Sequence, residues 1–315
     1  EVDGILISPA TRDLLASYLH GLQHGPILMA LSAARSRKCP VMMIPSMHAD
    51  LAEDPVTTEL VSEVERLGII VHWGEEQEGK RKTPPHDEIV ARFANYINSN
   101  KPRRKSVVIT LGATRSPIDD IRYIQNTSSG STGYQIADHL YRHGHDVTCV
   151  SGITTYPKPS WLPLDIYSDT PEKMLNELKA LSNDEIDAWI HSAAVLDYVV
   201  ESPAEGKLAS QQGPLNVKLV ESPKHILELK DKCKDSVRIG FKLETGIKQK
   251  ELVRRAVAQL EYAGMTAVIA NRLEDLTDEN RPRAYLVDKT GADFTLESML
   301  DVCEAISTVI DRGNR

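Results

Sequence analysis

A strand, a long polar loop and a glycine-containing turn that runs into a helix form the most constraining part of this sequence. Val107–Leu111 is a short apolar run typical of a buried strand, and Thr127–Gly133 leads into a helical pattern over residues 131–143. Another apolar run, Asp146–Val150, follows that helix. Strand, helix and strand in this order are typical of a parallel sheet with helices on its faces, so the unit predicts an α/β fold.

The same alternation of strands and helices continues through the chain and predicts two domains. We predict strands at 2–7, 40–45, 68–73, 187–192, 237–241 and 266–270, and a hairpin at 284–288 and 293–296 with its turn at Lys289–Gly291. Helices are predicted at 12–36, 56–67, 86–98, 171–181, 222–232, 248–262 and 297–312. The polar, basic run Asn98–Lys105 is interpreted as a linker, with a surface loop as the alternative, which places the domains at residues 1–100 and 101–315.

Composition limits the classes of partner. The net charge of −8 argues against a nucleic-acid binder, and the four cysteines have no regular spacing, which indicates a reducing, cytoplasmic compartment. The sequence has no run of 18 apolar residues, so no membrane span is expected. The chain opens on Glu1 and a strand-like run, which we interpret as a fragment or a chain lacking its true start.

The turn that includes Ser128 and Gly130 is a candidate phosphate site. Free N–H groups at a helix N-terminus bind anions, and glycines let a phosphate approach the backbone. The alternative is a helix cap combined with close packing of the helix on the sheet, which Gly130 and Gly133 would also permit. The turn alone does not decide between these interpretations.

A dinucleotide site is disfavoured by the spacing around this turn. Fourteen residues separate Gly112 from Thr127, and the second strand ends in Val150-Ser151-Gly152 with no acidic residue for a ribose. His139, His143 and His145 suggest a metal cluster, but a solvated helix end is the favoured interpretation. Nucleophile and P-loop motifs are absent from the sequence.

Small residues and a carboxylate follow another predicted strand, in Ser192–Tyr198. Small side chains at the carboxyl end of a strand leave room for a ligand, and Asp197 could hold Mg²⁺. Lys207 lies in the flexible stretch that follows, where a lysine is usually solvated.

Together these segments resemble the phosphopantothenate–cysteine ligase family. The resemblance extends over nearly all of residues 106–300 and rests on runs in the family's order and spacing: Ile109–Gly130, Ser192–Tyr198, Gly206–Leu208, Ser222–Lys224, Ile239–Thr245 and Ala270–Asn271. It implies a ligase that joins 4'-phosphopantothenate to cysteine through an acyl-nucleotide, an early step of coenzyme A synthesis.

The resemblance also implies roles for individual residues. Asn126 would handle the acyl intermediate, Arg122 would bind a phosphate or carboxylate, and Lys207 would neutralise charge on the phosphates. Mg²⁺ would bridge the phosphates, with Asp197 as its candidate ligand. The implied nucleotide-binding residues are Ser128, Gly130, Ala193, Asp197, Lys207, Pro223, Lys224 and Phe241.

The first hundred residues resemble the flavoprotein half of the bifunctional members of this family, which implies a partial flavodoxin-like domain. The resemblance places FMN near Ser8, Ala10, Thr11 and Met47. The segment departs from the decarboxylase pattern, because His48 replaces the active-site Asn and Gly74–Pro84 lacks the clamp cysteine. We therefore expect this half to have lost decarboxylase activity, with FMN binding left open.

CTP is expected as the nucleotide, and ATP is the alternative. Gly240–Thr245 looks like the ATP-using form of the family, whereas the attached flavoprotein half looks like the CTP-using form. The CTP-using members carry a pair of basic residues that aligns with Gln259 and Ala263 of this chain. Arg254 and Arg255 are candidate replacements for that pair. Family members pair their synthetase domains, so a homodimer or higher homo-oligomer is expected. The rival functions are an FMN-binding regulatory protein and an NAD(P) oxidoreductase.

Overall fold

The computed structural model describes residues 2–182, 185–210, 213–278, 280–290 and 293–313. The chain divides into two compact units: Glu1–Pro102 with Arg142–Gly144, and Arg103–Tyr141 with His145–Arg315. Among the described residues, no helix combines the length and apolar character that a bilayer crossing requires.

The first unit is a small α/β structure built on a parallel sheet of three strands in the order β1-β2-β4. Its elements are β1 (Ile5–Ala10), α1 (Arg12–Leu19), α2 (Pro26–Ser36), β2 (Val41–Pro45), β3 (Met47–His48), α3 (Ala49–Ala52), α4 (Pro55–Arg66), β4 (Ile70–Val71), β5 (Glu76–Gln77), β6 (Lys80–Arg81) and α5 (His86–Asn98). Leu15, Leu31 and Met43 pack in its core, where they join α1 and α2 to β2.

The helix predicted at 12–36 is two helices. The chain leaves α1 at His20, and Gly21 and Gly25 adopt positive φ angles of 69° and 98° before Pro26 begins α2. Positive φ is a conformation that glycine adopts readily and that interrupts a right-handed helix. The prediction of one continuous helix was therefore wrong.

The second unit holds an eight-stranded sheet in the order β11-β10-β7-β12-β15-β16-β17-β18, parallel from β11 to β16 and antiparallel at β17 and β18. Its elements are β7 (Ser106–Leu111), β8 (Arg115–Pro117), β9 (Tyr123–Gln125), α6 (Ser131–Arg142), β10 (Asp146–Ser151), β11 (Leu164–Tyr167), α7 (Pro171–Leu181), β12 (Ala188–His191), β13 (Tyr198–Val200), β14 (Leu219–Glu221), α8 (His225–Glu228), β15 (Val237–Glu244), α9 (Gln249–Ala263), β16 (Ala267–Arg272), a 3₁₀ helix (Leu273–Thr277), β17 (Ala284–Asp288), β18 (Asp293–Leu296) and α10 (Met299–Arg312). This architecture confirms the α/β fold class.

Helices cover the faces of the central strands, which explains why those strands are continuously apolar. Val108 and Trp189 pack with Met174 and Leu178 of α7 on the sheet. Along α9, the buried residues Leu252, Ala256, Leu260 and Ala263 recur at helical spacing and pack on β16 and β17. The core thus fixes the strand ends from which the site is built.

Several predictions of secondary structure were wrong in extent. The loop predicted at 112–126 contains the hairpin β8–β9, and the helix predicted at 222–232 is reduced to the single turn α8. Strand β11 and the antiparallel pair β13–β14 were not predicted from the sequence. Strands β17 and β18 have the predicted bounds, while Gly291 of their predicted turn lies outside the described residues.

Candidate functional site

The strand order places a crevice between the carboxyl ends of β7 and β12. From β7 the chain proceeds to β10 and β11 on one side, and it then returns to form β12 on the other side. Ligands of open α/β sheets bind at such switch points, outside the carboxyl ends of the strands. The two segments that the sequence analysis singled out, Gly112–Asn126 and Ser192–Tyr198, both begin there.

Backbone and side-chain hydrogen bonds join these two segments. Thr114 N–H donates to the Ala194 carbonyl at 3.1 Å, and the Thr114 hydroxyl accepts from Leu196 N–H at 2.9 Å. Ala194 N–H donates to the Gly112 carbonyl at 2.8 Å. Because the bonds run in both directions, the two loops form one framework at the crevice.

A cavity of about 330 Å³ opens against this framework. It brings together six residues that the sequence analysis selected: Asn126, Ala193, Asp197, Pro223, Lys224 and Phe241. They come from the end of β9, the end of β12, the segment before α8 and strand β15. Asn126 and Phe241, 115 positions apart in sequence, therefore meet at one site.

Asn126 is held in a defined orientation at the cavity wall. Its Nδ2 amide donates to the carbonyl oxygens of Ala194 at 3.2 Å and Val195 at 3.0 Å. The Oδ1 atom makes no hydrogen bond within the described part of the chain. Asn126 thus has a free hydrogen-bond acceptor.

Buried, uncharged polar groups line the same cavity. His191, His225 and Gln259 are all at least nine-tenths buried and contribute to its lining. Burial lowers the pKa of His191 to about 3 and that of His225 to about 4, so both imidazoles are neutral at pH 7. The Nε2 atom of His191 has no hydrogen-bond partner among the described residues, which leaves it available to a ligand.

Gln259 reaches the cavity because strand β15 carries a glycine opposite it. A Cβ atom at Gly240 would lie 2.7 Å from Gln259 Nε2, so a larger residue would displace the amide. Gln259 Nε2 donates to the Phe241 carbonyl at 3.3 Å. His191 was not predicted from the sequence, and Gln259 was considered only as the replacement of a basic residue, because isolated neutral polar residues carry no motif.

Charged side chains lie at the exposed side of the cavity. Asp197 has a side chain 70% exposed, and its carboxylate is 4.0 Å from the Lys224 ammonium. Among the described residues, no three His, Cys, Asp or Glu side chains form a group that could hold a metal ion by themselves. A Mg²⁺ ion at Asp197 would therefore need the oxygens of a bound ligand, as Mg²⁺ in phosphate sites commonly does.

Ser128 and Gly130 line a second, adjoining cavity of about 530 Å³. The two cavities share Ala193, Ala194, Phe241 and Leu243 in their walls. The second cavity is bounded by the turn before α6 and by apolar residues that include Leu276, Met299 and Val302. The predicted nucleotide-binding residues are thus divided between two neighbouring cavities.

The turn before α6 combines capping with close packing. The Ser128 hydroxyl accepts from Gly130 N–H at 3.4 Å, and the Ser129 hydroxyl accepts from Ser131 N–H at 3.3 Å. At Gly133, a Cβ atom would lie 2.3 Å from the Cβ of Leu111, so only glycine lets α6 approach β7 so closely. The capping and packing interpretation therefore accounts for part of this sequence signal.

Arg283 adds a cation to the larger cavity. Its Nη2 donates to the Thr132 hydroxyl at 3.3 Å, and burial lowers its pKa without an opposing carboxylate. No sequence motif indicated this residue, because it lies after a polar loop far from the turn that it approaches.

Arg122 and Lys207 contribute to the lining of neither cavity. Arg122 forms an ion pair with Asp119, with Nη1 and Oδ2 2.8 Å apart. Lys207 is exposed and forms no hydrogen bond or ion pair with any residue the structure describes. These two predicted catalytic residues therefore lie outside the group of six that lines the smaller cavity.

The expected flavin segment lies at the carboxyl ends of β1 and β2. Ala10 pairs with Pro45, and Ser46 N–H donates to the Ala10 carbonyl at 3.4 Å, which brings Ser8, Ala10, Thr11 and Met47 to one sheet edge. The Thr11 hydroxyl caps α1 by accepting from Leu14 N–H at 3.1 Å. Two cavities of this unit, about 360 and 280 Å³, are lined by other residues.

The three clustered histidines do not share one environment. His145 is buried, and its Nδ1 accepts from Lys105 N–H at 3.1 Å, whereas His143 is exposed. The interpretation of His145 as part of a solvated helix end was wrong, because its side chain is buried and bonded to the backbone before β7.

The fold and the site define an α/β chain with a ligand crevice at the switch point of its larger sheet, preceded by a small parallel α/β unit. A model of the flavoprotein family matches residues 1–98, and a model described as the DNA/pantothenate metabolism flavoprotein C-terminal domain matches residues 103–312. The chain belongs to the DNA/pantothenate metabolism flavoprotein family.

Curated relatives extend this assignment across both units. The chain is 33% identical over 280 residues to the coenzyme A biosynthesis bifunctional protein CoaBC of Thermococcus kodakarensis, covering 89% of this chain and 68% of the relative. It is 30% identical over 311 residues to the CoaBC protein of Methanocaldococcus jannaschii, covering 97% of this chain and 75% of the relative.

Solved structures share the fold of the larger unit. The C-terminal domain of a CoaBC protein aligns with a TM-score of 0.55 and 23% identity, covering 68% of this chain and 97% of that one. A DNA/pantothenate metabolism flavoprotein from Streptococcus pneumoniae aligns with a TM-score of 0.58 and 23% identity, covering 64% and 96%. A Cab2 variant in complex with phosphopantothenate-cysteine aligns with a TM-score of 0.52 and 19% identity, covering 71% of this chain and 94% of that one.

Proposed function

We propose that this protein is a phosphopantothenate–cysteine ligase of coenzyme A biosynthesis. The observation that carries the proposal is the convergence of Asn126, Ala193, Asp197, Pro223, Lys224 and Phe241 on one cavity at the switch point of the sheet. These residues were selected from four separate segments of the sequence. Membership of a family whose relatives include the CoaBC proteins supports the same activity.

The two adjoining cavities suit two substrates. The nucleotide occupies the smaller cavity, with its base against the neutral groups of His191, His225 and Gln259 and its phosphates towards Lys224. The 4'-phosphopantothenate occupies the larger cavity, where apolar side chains accept its aliphatic arm. This assigns Ser128 and Gly130, which the resemblance implies as nucleotide-binding residues, to the phosphate of this substrate instead. The shared wall at Ala193 and Ala194 is where the reacting groups meet.

The reaction proceeds in two transfers. The pantothenate carboxylate attacks the α-phosphorus and releases pyrophosphate, and the cysteine amine then attacks the acyl carbon and releases the nucleoside monophosphate. Asn126 Oδ1 is free to accept a hydrogen bond from the attacking amine, because Nδ2 is already engaged. Asp197 would hold Mg²⁺ together with the phosphates, and the ion would neutralise negative charge there.

CTP is the proposed nucleotide. The buried groups of the smaller cavity, His191, His225 and Gln259, are neutral and would recognise the base by hydrogen bonds rather than by charge. Ala263 is fully buried in the core, and Arg254 and Arg255 are paired with Glu251, so the cavity lining contains none of the three. Gln259 is the one position of the expected basic pair that contributes to the lining.

FMN binding by the first unit is proposed on the position of its expected segment. Ser8, Ala10, Thr11 and Met47 lie at the carboxyl edge of a parallel sheet, where such sheets bind ligands. Bound flavin would supply redox chemistry. Flavin fluorescence released on denaturing the purified protein tests this assignment independently of the ligase.

Pyrophosphate release tests the ligase and its nucleotide together. Release with 4'-phosphopantothenate that is faster with CTP than with ATP is expected, and omission of phosphopantothenate abolishes it. A yellow protein that consumes neither nucleotide would favour the FMN-binding regulatory function instead.

A further inference from the structure

The turn between β8 and β9 is bonded to the loop that carries Lys207. Ala204 N–H donates to the Ile118 carbonyl at 2.9 Å, and Gly206 N–H donates to Asp120 Oδ2 at 3.1 Å. In return, Asp120 N–H donates to the Gly206 carbonyl at 3.4 Å. Two loops more than 80 residues apart in sequence therefore form one hydrogen-bonded loop pair, residues 118–122 with residues 204–208.

Asp119 is at the centre of this loop pair. Its side chain has 0% exposure, and it accepts from the N–H groups of Ile121 at 2.8 Å, Arg122 at 2.7 Å and Leu208 at 3.2 Å. Arg122 Nη1 donates to the same carboxylate at 2.8 Å. Burial raises the pKa of Asp119, but these donors and the Arg122 charge outweigh burial and hold the pKa below its ordinary value.

The Asp119–Arg122 pair forms hydrogen bonds with both the N–H group and the carbonyl group of Leu208. The carboxylate accepts from Leu208 N–H, and Arg122 Nη2 donates to the Leu208 carbonyl at 3.3 Å. On the other side of Lys207, Gly206 is held by Asp120. The backbone of Lys207 is thus fixed at both neighbours while its ammonium group has no partner among the described residues.

We propose that Asp119 is a positioning residue, which acts through Arg122 and the backbone of Leu208 to present the Lys207 ammonium to the substrate phosphates. That Lys207 meets the substrate phosphates rests on the proposed ligase function and on the role that the family resemblance implies for this lysine, since Lys207 lines neither cavity. The inference assigns Arg122 a structural contact that the sequence did not indicate. A residue held at its backbone and free at its charged end needs little reorganisation to meet a developing charge.

Trypsin cleavage after Lys207 tests the positioning without using the ligase reaction. Asp119→Asn leaves one acceptor oxygen where the carboxylate has two, so the amide cannot serve both the Leu208 N–H and Arg122 Nη1 donors on Oδ2 and the Ile121 and Arg122 backbone donors on Oδ1. We expect cleavage after Lys207, identified by peptide mass, to be about ten-fold faster in the folded variant. Glu201→Gln is the matched control, since it removes an exposed ion pair with Lys218 outside the hydrogen bonds of this loop pair. Its cleavage rate is expected to match that of the wild type.

A folded Asp119→Asn protein with an unchanged cleavage rate would overturn the proposal. If this variant does not fold, Arg122→Ala decides, because it removes the bond to the Leu208 carbonyl through which Asp119 is proposed to act and leaves the buried carboxylate in place. Faster cleavage in Arg122→Ala supports the inference, and an unchanged rate refutes it. Both results stand even if the protein has no ligase activity.

Kinetics test the link to Lys207. We expect Asp119→Asn to lower kcat by roughly 10- to 100-fold with little change in the KM for the nucleotide. Adding Lys207→Ala to Asp119→Asn should then cost far less than Lys207→Ala costs in the wild type. Additive losses would show that Asp119 acts independently of Lys207 and would refute the proposal.

Discussion

At the scale of single residues, the amide of Asn126 shows how backbone geometry selects a chemical role. Two carbonyl oxygens occupy its Nδ2 group, so the free atom is the acceptor Oδ1. The Oδ1 atom of an amide fixed in this way can accept a hydrogen bond from the substrate. The orientation follows from the loops that cross at the end of β12 and could not be deduced from the residue type.

Replacement of Asn126 by Asp should separate the two transfers. The carboxylate cannot donate to the carbonyls of Ala194 and Val195, so the side chain loses both bonds that orient it. We expect pyrophosphate to be released while the amide product falls by roughly 10²-fold. Mass spectrometry of the product beside a pyrophosphate assay measures both. Normal amide formation by Asn126→Asp would show that this residue does not handle the intermediate.

The buried histidines predict a dependence of stability on pH. Burial lowers the pKa of His191 to about 3 and that of His225 to about 4, from an ordinary value of 6.5. Below pH 6.5 these two histidines bind protons in the unfolded chain but not in the folded chain. Their contribution to the free energy of unfolding is therefore complete above pH 6.5 and is lost as the pH falls towards 4. The loss approaches about 1.4 kcal/mol per pH unit for each histidine.

Urea unfolding at pH 7.5 and 5.5 measures this loss, with His191→Gln as the comparison. The variant keeps a neutral polar side chain at the cavity but cannot take up the proton. Its stability should fall less between the two pH values than that of the wild type. Equal falls in both proteins would contradict the burial of a neutral imidazole at this position.

Residues next to the ends of strands could be predicted from the sequence, and residues that act through tertiary contacts could not. Asn126 and Asp197 lie in segments that follow predicted strands, and both line the cavity. His191 and Gln259 line it as well, but each reaches the cavity only because of its partners in the sheet and in α9. Asp119 was passed over because its bond to Leu208 crosses 89 positions of sequence.

At the scale of elements, long patterns predicted well and short ones did not. Helix α9 carries four buried residues at helical spacing and was predicted to within one residue at each end. The β8–β9 hairpin has strands of three residues, which is too short for a period of two to be recognised. The first helix was predicted too long because its apolar pattern continues through Gly21 and Gly25.

Strand β18 is an edge of the large sheet and predicts self-association. Edge strands expose unpaired backbone groups, and Phe294 on β18 is 50% exposed. We predict a homodimer through this edge, with a light-scattering mass near twice that of the chain. Phe294→Glu should shift the mass towards the monomer. The matched control is Leu164→Glu on β11, the opposite edge, where the side chain is 47% exposed. A monomeric wild type would refute the prediction.

At the scale of the whole molecule, the chain combines a flavoprotein-family unit with a larger unit that holds the candidate site. Their family models meet near the basic run that was interpreted as a linker, with matches ending at residue 98 and starting again at 103. The sequence predicted two domains at residues 1–100 and 101–315 because strand and helix patterns alternate along both parts. The division of the site into two cavities depends on side-chain packing and was not predictable.

The first unit should not decarboxylate phosphopantothenoylcysteine. His48 replaces the Asn expected to hold the substrate carboxylate, and its ring cannot offer the paired donor and acceptor of an amide. The β5–β6 segment that occupies the expected clamp contains no cysteine. Full-length protein supplied with FMN and phosphopantothenoylcysteine should release no CO₂ and form no phosphopantetheine. Turnover at a rate similar to that of the ligase step would disprove this loss.

Oxygen labelling tests the central claim, ligation through an acyl-nucleotide, most directly. Phosphopantothenate carrying ¹⁸O in its carboxylate is incubated with the protein, CTP and cysteine, and all products are analysed by mass spectrometry. Attack of the carboxylate on the α-phosphorus predicts phosphopantothenoylcysteine together with CMP that has gained one ¹⁸O, and unlabelled pyrophosphate. Label in orthophosphate would instead indicate an acyl phosphate, and absence of the amide product would contradict the ligase assignment itself.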